Sequence, residues 1–279
     1  MGTEPDHIAF AWCLLIWTVY IGVMSEGQVV NPADCAPTTL SESGLRVREM
    51  IHPEFYAEPM ILRHLELTQG STPFMSSSDH DELLYVLDGS CEIEVSQAGQ
   101  INSYTLSVGS AVQVLCESQW RFVSADDTTV LSFLVPAPTT PWAQALAKST
   151  QTVVDVAKLG AQAAESATAN RQFEVLFNAE RGSRGATMFV GFIPTSGAPE
   201  HYHLYDEICV IVQGSGAVHT LDKKQELGVG SAFHVAPRLL HAIENPNPDD
   251  LWLLGVFRPE GSAAASYYPD GRPAPNNED

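Results

Sequence analysis

The segment HYHLYDEICVIVQGS, His201 to Ser215, decides how this chain is read. Two histidines stand one residue apart, a glutamate follows four residues after the second, and an apolar run then leads to Gly214. Alternate side chains of a strand face one side, so His201 and His203 are predicted to point the same way. Glu207 has the same parity and joins that face if the intervening turn restores the phase.

Working outward, the second part of this segment recurs. DEICVIVQGS, from Asp206, matches DELLYVLDGS, from Asp81. VGSAFHVA from Val229 matches VGSAVQVL from Val108, and DLWLLGVFRPEG matches TVLSFLVPAP with Leu251 against Val130. The offset shortens slightly between the first pair and the others, as a loop trimmed in one copy would cause. This is an internal duplication. Further short apolar runs bounded by turn residues (MILRHLEL, CEIEV, EVLF, TMFVGFI, GAVHTL) read as strands. Many short strands at close spacing predict a barrel or sandwich, so the fold class is all-β in two tandem domains. The expected division is 1–24 as an apolar N-terminal segment, 25–138 as the first barrel, 139–170 as a linker, 171–262 as the second barrel and 263–279 as a polar tail. The Ala-rich linker is compatible with helix or with loose chain.

Composition narrows the partners. The chain has 279 residues and is 44% hydrophobic and only 17% charged, which supports a buried core and excludes a disordered chain. With 34 acidic against 14 basic residues the formal net charge is -20, so nucleic acid is not an expected partner. The five cysteines are scattered, odd in number and free of any CxxC pair, which argues against a disulfide scaffold or a zinc knuckle. Residues 8–24, IAFAWCLLIWTVYIGVM, carry no charge and are near the lower limit for a membrane span. The preceding MGTEPDH lacks the positive charge of a secretory leader. The favoured expectation is that Met24 is the natural start of a cytoplasmic protein; the alternative is a membrane anchor.

The ligand-type residues of the second copy are His201, His203, Glu207 and His241, the last lying just beyond Pro237. Three imidazoles and a carboxylate suit one divalent transition metal, with Fe, Mn or Ni favoured and Zn or Cu as alternatives. Such a set leaves positions for water, substrate or dioxygen. Met188, Val190, Phe192, Ile211, Phe233 and Val235 are expected to make the surroundings apolar. Tyr205 shares the parity of the ligands and is a candidate to hydrogen-bond substrate, whereas Tyr202 should face out. Arg238 is read as the one cation near the site, with Glu207 as a candidate general base. His219 and His234 are expected to be satisfied barrel histidines.

These segments resemble the paired motifs of the cupin superfamily, and in particular its quercetinase-like and germin-like bicupins. The first motif is matched by His201, His203, Glu207 and Gly214, with Gly197 as its leading glycine, closer than the pattern asks. The second is matched by Gly230, His241 and Asn245; Pro237 falls one residue late and Arg238 stands where an inner glycine belongs. The resemblance implies two cupin barrels, each a double-stranded β-helix or jelly roll, and a metal held in the C-terminal one. It also implies a small organic substrate, and it admits a homodimer because cupin barrels commonly pair. In the first copy Ser76, Ser78 and Trp120 replace the three histidines while Glu82 and Gly89 are kept. The first barrel is therefore expected to be structural, the alternative being a rescued site from Asp79, His80 and Glu82. Oxalate decarboxylases keep ligands in both halves, and ureidoglycine aminohydrolases use another ligand order. The resemblance thus favours a dioxygenase acting on a hydroxylated or dicarbonyl compound. A non-redox isomerase, cyclase or decarboxylase, or a cupin that only binds a small molecule, are the alternatives.

Overall fold

The computed structural model describes residues 27–40, 43–52, 60–97, 99–138, 156–221 and 223–274. The N-terminal apolar segment, with Met24, lies outside the described residues, as does most of the linker. The first half contributes β1 (Thr38–Leu40), β2 (Leu45–Ile51), β3 (Ile61–Gln69), β4 (Met75–Ser76), β5 (His80–Gln97), β6 (Gln100–Ser107), β7 (Ser110–Val114), β8 (Gln119–Pro136) and β9 (Val156–Lys158). They form one sheet in the order β1-β2-β3-β8-β5-β7-β9, with β4 on β8 and β6 on β5. Register shifts along the long β5–β8 pair let it bend around the core.

The second half contributes β10 (Glu165–Ala167), β11 (Arg171–Phe177), β12 (Thr187–Ile193), β13 (Ala198–His201), β14 (Asp206–Gln213), β15 (Gly216–Thr220), β16 (Lys223–Leu227), β17 (Ala232–Val235), β18 (His241–Glu244) and β19 (Leu251–Arg258). A six-stranded sheet, β10-β11-β12-β19-β14-β17, faces a four-stranded one, β13-β18-β15-β16. Ile193, Ile211, Phe233 and Leu253 from the first meet Ala198, Val218, Leu227 and Ile243 from the second in the barrel interior. This is the cupin jelly roll.

The duplication is visible in the register. Glu82 of β5 pairs with Val114 and Leu134; Glu207 of β14 pairs with Val235 and Phe257. Val86 lies opposite Val130 and Ile211 opposite Leu253. The structural equivalent of Val130 is therefore Leu253, not the Leu251 of the sequence match. Both have the same parity, so the inward face is unchanged.

The parity also explains why LLYVL and ICVIV read as unbroken apolar runs. Leu84 and Val86 point into the first barrel, among Ile93, Trp120 and Phe122. Leu83 and Tyr85 point the other way, into a seam that also holds Met188, Val190, Ile208, Val210, Leu254 and Val256 from the second barrel. Strands buried on both faces need no polar alternation. This seam corrects one expectation: Met188 and Val190 face the first barrel, and Phe192 packs on Trp252, so Phe189, Gly191 and Ile193 are the β12 residues that face the metal pocket.

Polar contacts tie the halves together. The guanidinium of Arg184 forks onto the Asp81 carboxylate, with Nε donating to Oδ2 at 2.7 Å and Nη2 to Oδ1. Gln113 donates to the Arg181 carbonyl at 2.9 Å. Residues 27–30 run along the second barrel before the chain enters the first: Val30 pairs with Ala232, and Gly27 N donates to the His234 carbonyl. The described part of the linker is neither helical nor loose, since β9 pairs with β7 and β10 with β11. Among the described residues no helix is long and apolar enough to cross a membrane.

Candidate metal centre

His201 closes β13 and His241 opens β18, and these strands pair antiparallel with the two histidines directly opposite. His203 sits in the bend between β13 and β14, and Glu207 is the second residue of β14, on its inner face. The ligand nitrogens of the three histidines lie within 4.8 Å of one another. Glu207 Oε2 is 3.8 Å from His203 Nε2. All four side chains are buried.

Backbone carbonyls prepare the imidazoles. His201 Nδ1 is 2.7 Å from the Pro199 oxygen, His203 Nδ1 3.0 Å from Ala265 and His241 Nδ1 3.1 Å from Leu239. A carbonyl only accepts, so each Nδ1 carries the hydrogen and each Nε2 keeps a free lone pair. Burial pushes His203 down to about 3 and His241 to about 4, and it holds His201 well below the ordinary histidine range. All three are therefore neutral donors at pH 7. Burial moves Glu207 the other way, up to about 7, against the opposing hydrogen bond of the Cys209 thiol and the charge of Arg171. The donors fit a divalent transition-metal ion: three preset nitrogens and one buried carboxylate, lining one pocket.

Tyr205 and Arg238 do other work than expected. The Tyr205 hydroxyl donates to the Ser262 carbonyl and, at 3.3 Å, to that of Ala265. Its ring stacks on His203 at 5.3 Å between centroids, and it lies outside the cavity lining. It fastens the returning tail and braces a ligand. Arg238 is exposed, with φ of 68°, and its amide donates to the His203 carbonyl at 2.8 Å. It occupies the left-handed position where the motif has glycine, and its backbone is what serves the site. Gly197, with φ of 72°, is also required, because a Cβ there would run into the Ile243 carbonyl. Asn245 closes the loop after β18, donating to the Ile193 and Asp249 carbonyls. Tyr202 turns away from the ligands and stacks on Tyr267 of the tail. His219 pairs with Glu244 at the surface, and His234 with buried Asp206.

The four ligands open onto a cavity of about 50 Å³, walled by Phe173, Phe189, Phe233 and Phe257 and by three polar residues, Arg171, Gln172 and Cys209.

The chain matches the Cupin domain family over residues 188–257, which contain all four ligands. Its fold matches solved bicupins along most of its length. A tryptophan-to-tyrosine variant of oxalate decarboxylase from Bacillus subtilis superposes with a TM-score of 0.67 at 13% identity, over 88% of this chain and 80% of that one. A two-residue deletion mutant of the same enzyme gives 0.67 at 12% identity, over 89% and 81%. The chain has the fold of a bicupin. A glutamate-to-alanine mutant of that decarboxylase gives 0.68 at 12% identity, over 88% and 80%. At such identities the likeness is one of fold. Comparison with curated protein sequences finds no match.

The two barrels of this bicupin differ inside. At the first barrel's counterpart of the metal site, Glu82 accepts a hydrogen bond from Trp120 Nε1 at 2.7 Å and another from Ser132 Oγ. Burial raises its pKa, as for Glu207. Trp120 stands at the sequence position that aligns with His241. His80 does not join Glu82; it pairs with Asp79 at 2.8 Å near the surface. Among the described residues the metal-type group found is His201, His203 and His241.

Two cavity residues had no sequence signal. Arg171 opens β11 outside either motif, although it is the only basic residue between Lys158 and Arg181. Cys209 reads as a small hydrophobe, and only its parity with Glu207 places it inside.

Proposed function

We propose that this bicupin is a metal-dependent enzyme, with one divalent transition metal held by His201, His203, Glu207 and His241, and that it dioxygenates a small hydroxylated or dicarbonyl compound. The observation that carries this reading is the buried three-histidine, one-glutamate group opening onto a cavity of only about 50 Å³. Pockets for drug-sized ligands are roughly 300–1,000 Å³, so a flavonol is too large and a short dicarbonyl fits. A divalent ion bound there supplies Lewis acidity, lowering the pKa of a coordinated hydroxyl. The chain does the rest. The Nδ1–carbonyl bonds hold the imidazoles in one tautomer and orientation. Glu207 Oε2, once released from the ion, is the carboxylate placed to take a proton from the substrate hydroxyl or enolisable carbon. The phenylalanine walls make much of the lining apolar.

Decarboxylation is a second reading, supported by the solved neighbours being oxalate decarboxylases. Bacillus subtilis oxalate decarboxylase has Mn(II) centres, in the plural, whereas the first barrel here carries Trp120 and serines in place of three ligands. Oxygen-electrode and carbon dioxide measurements on the Fe-, Mn- and Ni-loaded protein, with small 1,3-diketones and short carboxylic acids, separate the two. Oxygen consumed in step with loss of a diketone or of a hydroxy or oxo acid is the expected result. Turnover that releases carbon dioxide with no net oxygen uptake would favour decarboxylation.

A further inference from the structure

Arg171 stands at the start of β11, remote in sequence from both metal motifs, and lines the same cavity as the four ligands. Its Nε donates to the Thr168 carbonyl at 2.8 Å, which fixes the plane of the guanidinium. Its Nη2 is shielded from solvent and has no hydrogen-bond partner among the described residues. No ion pair among the described residues includes it. A buried guanidinium donor is costly to leave unpaired, and its fork matches a carboxylate. The charges agree. A divalent ion with Glu207 leaves one positive charge, and Arg171 adds a second, so the pocket favours an anion. The size agrees as well. A buried water needs roughly 10–15 Å³ of such volume, so a cavity of about 50 Å³ holds the equivalent of a few waters.

We infer that Arg171 is the substrate-anchoring residue of this site, and that the substrate is a short carboxylic acid, such as a 2-oxo acid, a 2-hydroxy acid or a dicarboxylate of two to four carbons. Its carboxylate pairs with the guanidinium while a second oxygen faces the Nε2 atoms of the histidines. This rests on the function proposed above and narrows its substrates to the hydroxylated or dicarbonyl compounds that carry a carboxylate. Phe173, two residues along the same strand, also lines the cavity and bounds the length of chain that fits.

The test uses the full-length Mn(II)-loaded protein and four probes: oxalate and pyruvate as carboxylates, oxamide and acetylacetone as neutral oxygen donors. Dissociation constants from calorimetry and manganese content from elemental analysis are measured for the natural protein, Arg171→Gln and Arg171→Lys. The natural protein should bind the carboxylates more tightly than the neutral probes. Arg171→Gln should weaken carboxylate binding about 10- to 100-fold, the range for a charge-assisted hydrogen bond, while manganese content and neutral-probe binding stay the same. Arg171→Lys should recover part of the loss, because it restores the charge but not the fork. Unchanged carboxylate affinity in Arg171→Gln, or an equal loss for neutral probes, overturns the inference. So does loss of manganese from that variant, which would make Arg171 a prop of the metal cage. A natural protein that holds manganese but ignores both carboxylates contradicts the inference alone; one that holds no manganese contradicts the metal-centre reading with it.

Discussion

Metal affinity in this bicupin should be governed by one proton, that of Glu207. In the metal-free protein burial lifts this carboxyl to about 7, whereas His203 and His241 are pushed down to about 3 and about 4. Between pH 5 and 8 the imidazoles are therefore neutral, and Glu207 alone changes state. Metal binds the carboxylate, so affinity rises with pH through the raised pKa and levels off above it. The carboxylate fraction is roughly nine-tenths at pH 8 and roughly a hundredth at pH 5, so the association constant should fall by about two orders of magnitude over that range. Glu207→Gln should bind more weakly at pH 8 and show no such slope. Competition with a chromogenic chelator, corrected for the chelator's own protonation, gives the slope. Calorimetry in buffers of different ionisation enthalpy gives the protons released, expected to be about one per metal at pH 6. A slope that persists in Glu207→Gln, or a flat profile in the natural protein, would refute the reasoning. A slope of two protons would show that an imidazole is protonated before metal arrives.

Three further outcomes are expected. A chain ending at Ser262 loses the Ala265 carbonyl that fixes His203 Nδ1, and its metal affinity should fall about 10- to 100-fold in the same chelator competition. Glu82→Ala strands the buried Trp120 N–H and the Ser132 hydroxyl and opens a cavity in the first barrel. It should cost about 3–5 kcal/mol in denaturant unfolding, with metal content of the second barrel unchanged. Arg238→Gly removes a side chain from a left-handed position whose strain is about 1–2 kcal/mol and gives part of that back as chain entropy. Turnover should be retained, and the melting temperature should be equal or slightly higher.

Which parts of the site were legible in the sequence follows from what each residue encodes. His201, His203 and Glu207 share one strand parity and are ligand types, and His241 sits at motif spacing, so chemistry and position point together. The duplication was legible because both β5 and β14 are buried on two faces, which leaves a conspicuous apolar run in each copy. β12 carries no polar marker of its inner face, and TMFVGFI fits either parity; hence Met188 and Val190 were assigned to the cavity and lie in the seam. Tyr205 has the expected parity, but parity places a Cβ, not the partner of a hydroxyl. That partner is a carbonyl more than fifty residues downstream, on a tail whose sequence looks like plain surface chain. Arg238 and Arg171 show the same limit from two sides. The cation within the motif contributes its backbone turn, and the cation outside any motif is the one in the cavity, because tertiary closure of β11 against β12 decides it.

Elemental analysis of the purified protein, with and without His201→Ala and His203→Ala together, tests the central claim most directly. One equivalent of a divalent transition metal per chain is expected, falling to background in the double variant while the protein stays folded. Metal content unchanged by the two substitutions, or two equivalents per chain, would contradict a single centre in the second barrel.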